Sequence, residues 1–365
     1  MLEPVIPLSR PVLGPEEAQA LSRVLESGRL IQGERVAEFE RLAAERVGRA
    51  HALAVSSGTA ALRLALEALG IGPGDEVLVP DLTWPSPGHV VLELGAVPVL
   101  VDVERDDWNV GPSQLAAARS PHTRAAIVID QFGCPARADR IAAALPGLIL
   151  IVDSACSLGS RTLEAACGRY GAIACFSFHP RKVVTTGEGG MCLTDDAELA
   201  ARLAELRNHG QFAPGKFARA SGNHRMSELA AAIGVVQLSR LDGMLAQRRE
   251  LAARYAAELP QLSTQRAPAG AQLNHQTYGV LLPEGTDRDA VVQRLRELGV
   301  ESGRLSYALH TLPQFAAAAD AAARSGRSFP QALALAERGL ALPLWPGLAE
   351  ADQRKVIESV RSVLS

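Results

Sequence analysis

The sequence predicts an α/β protein: a mostly parallel sheet sandwiched by helices, followed by a smaller α+β C-terminal domain. Three observations carry that expectation. Apolar runs of strand length recur between residues 53 and 178, Ala/Leu-rich stretches with helical spacing lie between most of them, and after Pro260 the segments shorten. Strands alternating with helices imply parallel pairing with both faces covered. The break in pattern divides the chain into a large domain, 1–245, and a small one, 246–365.

The elements follow in order. Gly14-Pro15-Glu16-Glu17 puts proline and two acids in a first helical turn, and Ser27-Gly28 ends that helix. Glu34 to Val47 repeats apolar residues at helical spacing, with Gly48 as a stop. Buried strands are expected at Leu53 to Val55, Val77 to Val79, Val97 to Val101, Ala125 to Ile129, Leu148 to Val152 and Ile173 to Phe178. Helices are expected at Ala60 to Leu69 and Arg137 to Leu145, and one long helical segment from Met226 to about Leu259. A Pro/Gly/Gln-rich stretch, Pro260 to Gln272, precedes a strand at Thr277 to Leu282, a helix at Asp287 to Leu298 and an amphipathic helix from about Ala349.

Composition narrows the function classes. Against 40 acidic residues stand 37 basic ones, for a net charge of −3, which argues against nucleic-acid binding. The apolar runs are far short of a membrane span, and Met1-Leu2-Glu3-Pro4 lacks the opening of a signal peptide. Cysteines 134, 156, 167, 175 and 192 form no CxxC pair, so no metal site is expected and a reducing cytoplasm fits best. Of the basic residues only Lys182, Lys216 and Lys355 are lysines, so each deserves inspection for amine chemistry.

In parallel α/β sheets ligands bind at the carboxyl ends of strands. Val55-Ser56-Ser57-Gly58-Thr59-Ala60 reads as a strand, a small-residue turn and a helix start. Its N–H groups would suit a phosphate; a plain N-cap by Ser57 or Thr59 is the competing reading. Asp153 directly follows a buried run, where it either caps a turn or serves a ligand. Lys182 lies just beyond the next strand, ahead of Thr185-Thr186-Gly187-Glu188-Gly189-Gly190. A partly desolvated lysine there could act as an imine-forming amine; a solvated loop lysine is the alternative. Together, an anion cradle, a buried acid and an amine are the parts that a pyridoxal phosphate site needs.

The chain resembles the DegT/DnrJ/StrS-type sugar aminotransferases, which have the aspartate-aminotransferase fold. The resemblance runs nearly end to end, through Ile6-Pro7-Leu8, Ser57-Gly58-Thr59, Gly74-Asp75-Glu76-Val77 with Thr83-Trp84, and Gly95-Ala96-Val97-Pro98. It continues through Ser177 to Lys182 with its glycine tail, Asn223-His224-Arg225-Met226-Ser227-Glu228-Leu229 and Leu342-Pro343-Leu344. It implies pyridoxal 5′-phosphate as cofactor, with Lys182 as the lysine that carries it and Asp153 facing the pyridine nitrogen. It also implies Gly58, Thr59 and Ser177 as the phosphate cradle, and Trp84 stacked on the cofactor, where ordinary core packing is the alternative. Asn223 would reach the phosphate of a neighbouring subunit, which implies a homodimer with shared active sites. By position alone, Asn223 reads as a polar residue ahead of a helix.

Two departures stand out. Many family members carry Gln or His three residues after the buried acid, where this chain has Cys156, a weaker donor. The frequent Tyr-x-Pro-Leu-His pattern becomes Ser306-Tyr307-Ala308-Leu309-His310, so His310 lines the substrate pocket or serves the structure. Gln32, in the Arg29 to Gly33 loop, is a further substrate candidate. The implied reaction moves an amino group from an amino acid, glutamate in the family, to a keto-sugar, expected to be a nucleotide-linked keto-deoxyhexose. Amination of a cyclitol ketone or dehydration by a lysine-bearing relative are the alternatives. A non-catalytic regulatory homologue would show disruption of Lys182, Asp153 or Ser177, and all three are intact.

Overall fold

The computed structural model describes residues 5–364, so the Met1–Pro4 opening lies outside the described residues. Seven strands form the central sheet: β1 (His51–Val55), β2 (Glu76–Pro80), β3 (Val97–Val101), β4 (Thr123–Ile129), β5 (Ile149–Asp153), β6 (Ile173–Ser177) and β7 (Gly190–Thr194). Their order is β1-β7-β6-β5-β4-β2-β3. The pairs β2–β3, β2–β4, β4–β5 and β5–β6 are parallel, while β7 runs antiparallel to both β6 and β1. The mostly parallel α/β architecture is therefore as the sequence predicts, and the carboxyl ends of six strands share one edge.

β7 is the strand that the sequence reading missed. Its apolar content is short, Met191 to Leu193, and it follows directly on the glycine turn, so the pattern reads as a loop tail. Burial on both sides makes it a strand: Met191, Cys192 and Leu193 are inaccessible. The long helical segment predicted from Met226 also divides. Helices Glu228–Ser239 and Leu241–Glu258 meet at Arg240 with a bend of 62°. At this break the Gln237 amide donates to the buried Glu17 carboxylate at 2.7 Å, and the Arg240 guanidinium pairs with it. Among the described residues no single helix is long and apolar enough to cross a membrane.

The main apolar core fills both faces of the seven-stranded sheet and takes in Leu309, Phe315, Phe329 and Leu335 from late in the chain. A second core joins Leu251, Tyr255, Tyr278, Leu295 and Val356 with Ile6. It covers a four-stranded antiparallel sheet that includes Tyr278–Leu281 and Gly339–Leu342. The two regions are stitched near the site edge, where the two-residue strand Leu82–Thr83 pairs with Tyr307–Ala308.

The loop that precedes helix Glu34–Val47 is set by a distant acid. Glu228, buried at the start of its own helix, accepts from the N–H groups of Gly33 (2.8 Å), Arg35 (2.9 Å) and Val36 (2.8 Å). Those are first-turn donors with no partner inside the helix. Glu228→Ala should lower stability by about 2 kcal/mol, the upper range for loss of an N-terminal cap, and Glu228→Gln by less. Urea-denaturation midpoints of the three proteins measure this, and equal midpoints would refute it.

Candidate active site

Three strand ends place the first group of predicted residues. Val55 of β1 pairs with Gly190 of β7, which pairs with Ser177 of β6. Helix Gly58–Ala68 starts at this seam, with the Ser57 hydroxyl accepting from Ala60 N at 3.1 Å. The N-cap reading is thus correct for Ser57. It leaves the Gly58 and Thr59 N–H groups, which have no acceptor within the helix, pointing off its positive end. A Cβ on Gly58 would lie 2.8 Å from the Ser177 Cβ, so only glycine lets the helix approach Ser177 this closely. The result is a shallow cradle of N–H donors beside a hydroxyl.

Asp153 ends β5 and is 6% exposed. Burial pushes its carboxyl up to about 6, opposed by the Ala155 N–H and by the charge of Lys182, and reinforced by Asp130. Among the described residues its carboxylate accepts one hydrogen bond, from Ala155 N at 3.0 Å. Lys182 lies half-buried in the loop between β6 and β7, and its ammonium donates to the Cys156 thiol at 3.1 Å. Cys156, three residues after Asp153, is thus in contact with the lysine.

The remaining predicted residues are distributed around this centre. Trp84 is 62% exposed, which removes the core-packing alternative for this chain, and meets Tyr307 edge-on at 5.6 Å. His310 is engaged by the protein itself: its Nδ1 lies 2.6 Å from the Asp81 carboxylate, its N–H donates to the same group at 2.8 Å, and its ring stacks on Phe329. Gln32 is half-buried, and its amide oxygen accepts from the Arg207 guanidinium at 3.1 and 3.2 Å. Asn223 is exposed, pairs by its backbone with Asn208, and accepts from Arg225 N at 3.3 Å. The helix expected just after it begins at Glu228, capped by Ser227.

Sequence reasoning passed over two buried carboxylates of the same kind as Asp153. Asp81 follows β2 and Asp130 follows β4, each immediately after a buried run. The signal that singled out Asp153 was present at both. Asp130 accepts from Ser157 Oγ (2.7 Å), Ser154 Oγ (2.8 Å) and Ala136 N (2.9 Å), so the chain saturates it.

A lysine, an under-used buried carboxylate and a helix N-terminus, gathered at the carboxyl edge of a mostly parallel sheet, define an aminotransferase of the pyridoxal-phosphate fold class. The comparisons with known proteins carry this further. The DegT/DnrJ/EryC1/StrS aminotransferase family pattern matches residues 11–361, and the chain belongs to that family, whose members depend on pyridoxal phosphate. GDP-perosamine synthase of Caulobacter vibrioides is 37% identical over 342 residues, covering 91% of each chain. Spore coat polysaccharide biosynthesis protein SpsC of Bacillus subtilis is 34% identical over 385 residues, covering 98% of this chain and 97% of that protein. The crystal structure of aminotransferase TlmJ from Streptoalloteichus hindustanus superposes with a TM-score of 0.91 at 33% identity, over 98% of both chains.

The raised carboxyl gives a pH signature. A group with a folded-state pKa above its unfolded value favours the fold below the unfolded pKa, and that contribution is lost as pH rises through the folded value. For Asp153 the window runs from about 4 to about 6. In cofactor-free protein, Asp153→Asn should gain stability relative to the parent across this window, by up to about 3 kcal/mol at pH 7. Urea melts at several pH values test it; a gap that does not change with pH would contradict the assignment.

Proposed function

We propose that this enzyme uses pyridoxal 5′-phosphate to move an amino group from an amino acid, L-glutamate, to a keto-sugar, a nucleotide-linked keto-deoxyhexose. The observation that carries the reading is Lys182, its amine held 3.1 Å from Cys156 on the loop that follows Asp153. The GDP-perosamine synthase relative, by its name, supports a nucleotide-linked sugar as acceptor. The residues present fit the cofactor. The N–H groups of Gly58 and Thr59 offer donors to a phosphate dianion beside the Ser177 hydroxyl, which lies this close to the helix start because Gly58 carries no Cβ. Ionised Asp153 would face the ring nitrogen and keep it protonated, an opposing charge that favours the carboxylate over its buried acid form. Trp84 would cover the ring, and Cys156 would stand beside its hydroxyl.

When bound, the cofactor supplies an electron sink for the carbanion at the donor's Cα. The chain supplies the proton chemistry. Lys182 Nζ takes the Cα proton from the donor, and in the second half-reaction delivers one to the carbon that becomes the amine-bearing carbon of the sugar. The acid donor leaves as its 2-oxo acid and the ketone as an amino sugar, so nitrogen and electrons balance. Gln32 and His310 are proposed at the substrate side. His310 acts there only through its free ring edge, since Asp81 holds the other nitrogen. We further propose a homodimer in which Asn223 of each subunit completes the phosphate site of the other, and a cytoplasmic setting, consistent with five free thiols.

The purified protein should show near-visible absorbance from lysine-linked cofactor, and Lys182→Ala should remove that band and lower turnover by at least about a thousandfold. Incubation with glutamate and nucleotide-linked keto-sugars should release 2-oxoglutarate. Release only with cyclitol ketones would redirect the substrate assignment, and a band that survives in Lys182→Ala would overturn the role of that lysine.

A further inference from the structure

The two loops that carry the reacting groups come from different strand ends, and a third segment touches both. Asn274 is fully buried, and every polar atom of its carboxamide is used. Its Nδ2 donates to the carbonyls of Cys156 (2.9 Å) and Leu158 (3.0 Å), and its Oδ1 accepts from Gln276 N (2.8 Å). Its own N–H donates to Ser160 Oγ at 2.8 Å. Two residues on, the Gln276 amide donates to the carbonyl of Arg181, the neighbour of Lys182, at 3.0 Å. One short stretch thus grips the backbone beside Cys156 and the backbone beside Lys182.

That stretch is itself held. The buried Arg248 guanidinium donates to the carbonyls of Asn274 (3.1 Å), His275 (2.7 Å) and Gln276 (2.7 Å). Among the described residues Arg248 forms no ion pair, and burial pushes it down to about 9. Burying a guanidinium without a carboxylate is costly, and the carbonyl dipoles on Nε and Nη2 offset that cost. His275, between the two bonding residues, adopts φ +48°, a left-handed conformation uncommon outside glycine. On the opposite side, Ser154 and Ser157 tie the same loop to Asp130.

We infer that Asn274 and Gln276 are positioning residues for the transamination site, setting the Asp153–Cys156 loop and the Lys182 loop against each other while Arg248 fixes the segment between them. The inference rests on the proposed roles of Lys182 and Asp153. A catalytic amine must be held within a fraction of an ångström of the atom it serves, and backbone hydrogen bonds from a rigid segment provide that constraint. Neither side chain is placed against substrate or cofactor.

The test uses the full-length enzyme loaded with pyridoxal phosphate, comparing the parent with Gln276→Leu, Asn274→Asp and the surface control Gln293→Leu. Asn274→Asp keeps the shape but turns two donors into acceptors facing carbonyl oxygens. Three quantities are read: cofactor affinity by dialysis, the pH midpoint of the lysine-linked absorbance band, and the melting temperature of cofactor-free protein. Gln276→Leu should retain the band, bind cofactor about tenfold more weakly, the equivalent of one lost hydrogen bond, and shift its pH midpoint. Asn274→Asp should do the same more strongly, and Gln293→Leu should match the parent. Parent-like affinity and midpoint in Gln276→Leu, whatever the melting temperature, would overturn the inference, and this variant decides alone if Asn274→Asp does not fold. Absence of the band from the parent would overturn the cofactor reading and this inference together.

Discussion

Ser57, Gly58, Ser177 and Gly190 meet where β1, β6 and β7 come together, with no side chain between the backbones of the helix start and the strands. A Cβ on Gly190 would overlap the Ser57 carbonyl, and one on Gly58 would press on Ser177. The approach is steric in origin and electrostatic in effect: it brings the positive end of a helix beside a hydroxyl at a strand terminus. The antiparallel entry of β7 adds a second consequence. Parallel neighbours need a crossover, whereas an antiparallel neighbour can be reached by a loop that stays at one edge. The loop from Phe178 to Gly189 does so. It closes on itself through Phe178 N to Gly189 O (2.9 Å) and Thr186 N to Phe178 O (3.0 Å), and Lys182 rides on its outer part.

Three strand-end carboxylates compete for the same description, and their partners separate them. Asp81 is spent on His310 and Asp130 on two serines and a backbone amide. Burial pushes both carboxyls up, as it does that of Asp153, but the oxygens of these two are taken by donors from their own chain, which is the structural use of such a group. Asp153 accepts one backbone hydrogen bond and sits in a site that pushes its carboxyl up to about 6. A buried acid left short of partners is costly to a folded protein unless a ligand completes it. In the proposed reading, that deficit is what leaves Asp153 for the cofactor.

Much of this was legible from residue order alone. Alternation of apolar runs and helical stretches is a local signal, and it placed six of the seven central strands and the lysine, acid and cradle at one edge. Gly190 to Thr194 escaped because three apolar residues after a glycine turn carry too little periodicity, and burial from both sheet neighbours made the strand. The helix break at Arg240 escaped because helical spacing continues across it, while the bend accompanies pairing with Glu17, more than 220 residues away. Asn274 shows the limit most clearly. Its importance lies in two carbonyls over 110 residues upstream, and nothing in its neighbours announces them.

The division of labour between arginine and lysine follows from the same geometry. Arginine serves repeatedly here as a carbonyl clamp: Arg49 on Gly168, Tyr170 and Gly171, Arg202 on Ala68 at a helix end, Arg327 on Leu100, and Arg248 on three consecutive residues. A planar fork of five permanent donors suits that task, and its permanent charge bars it from imine chemistry. Lysine offers a single nitrogen that can lose its proton and become a nucleophile. With only three lysines in the chain, the role proposed for Lys182 is the one that arginine could not fill, and the arginine-braced segment beside it bonds the backbone from which that nitrogen extends.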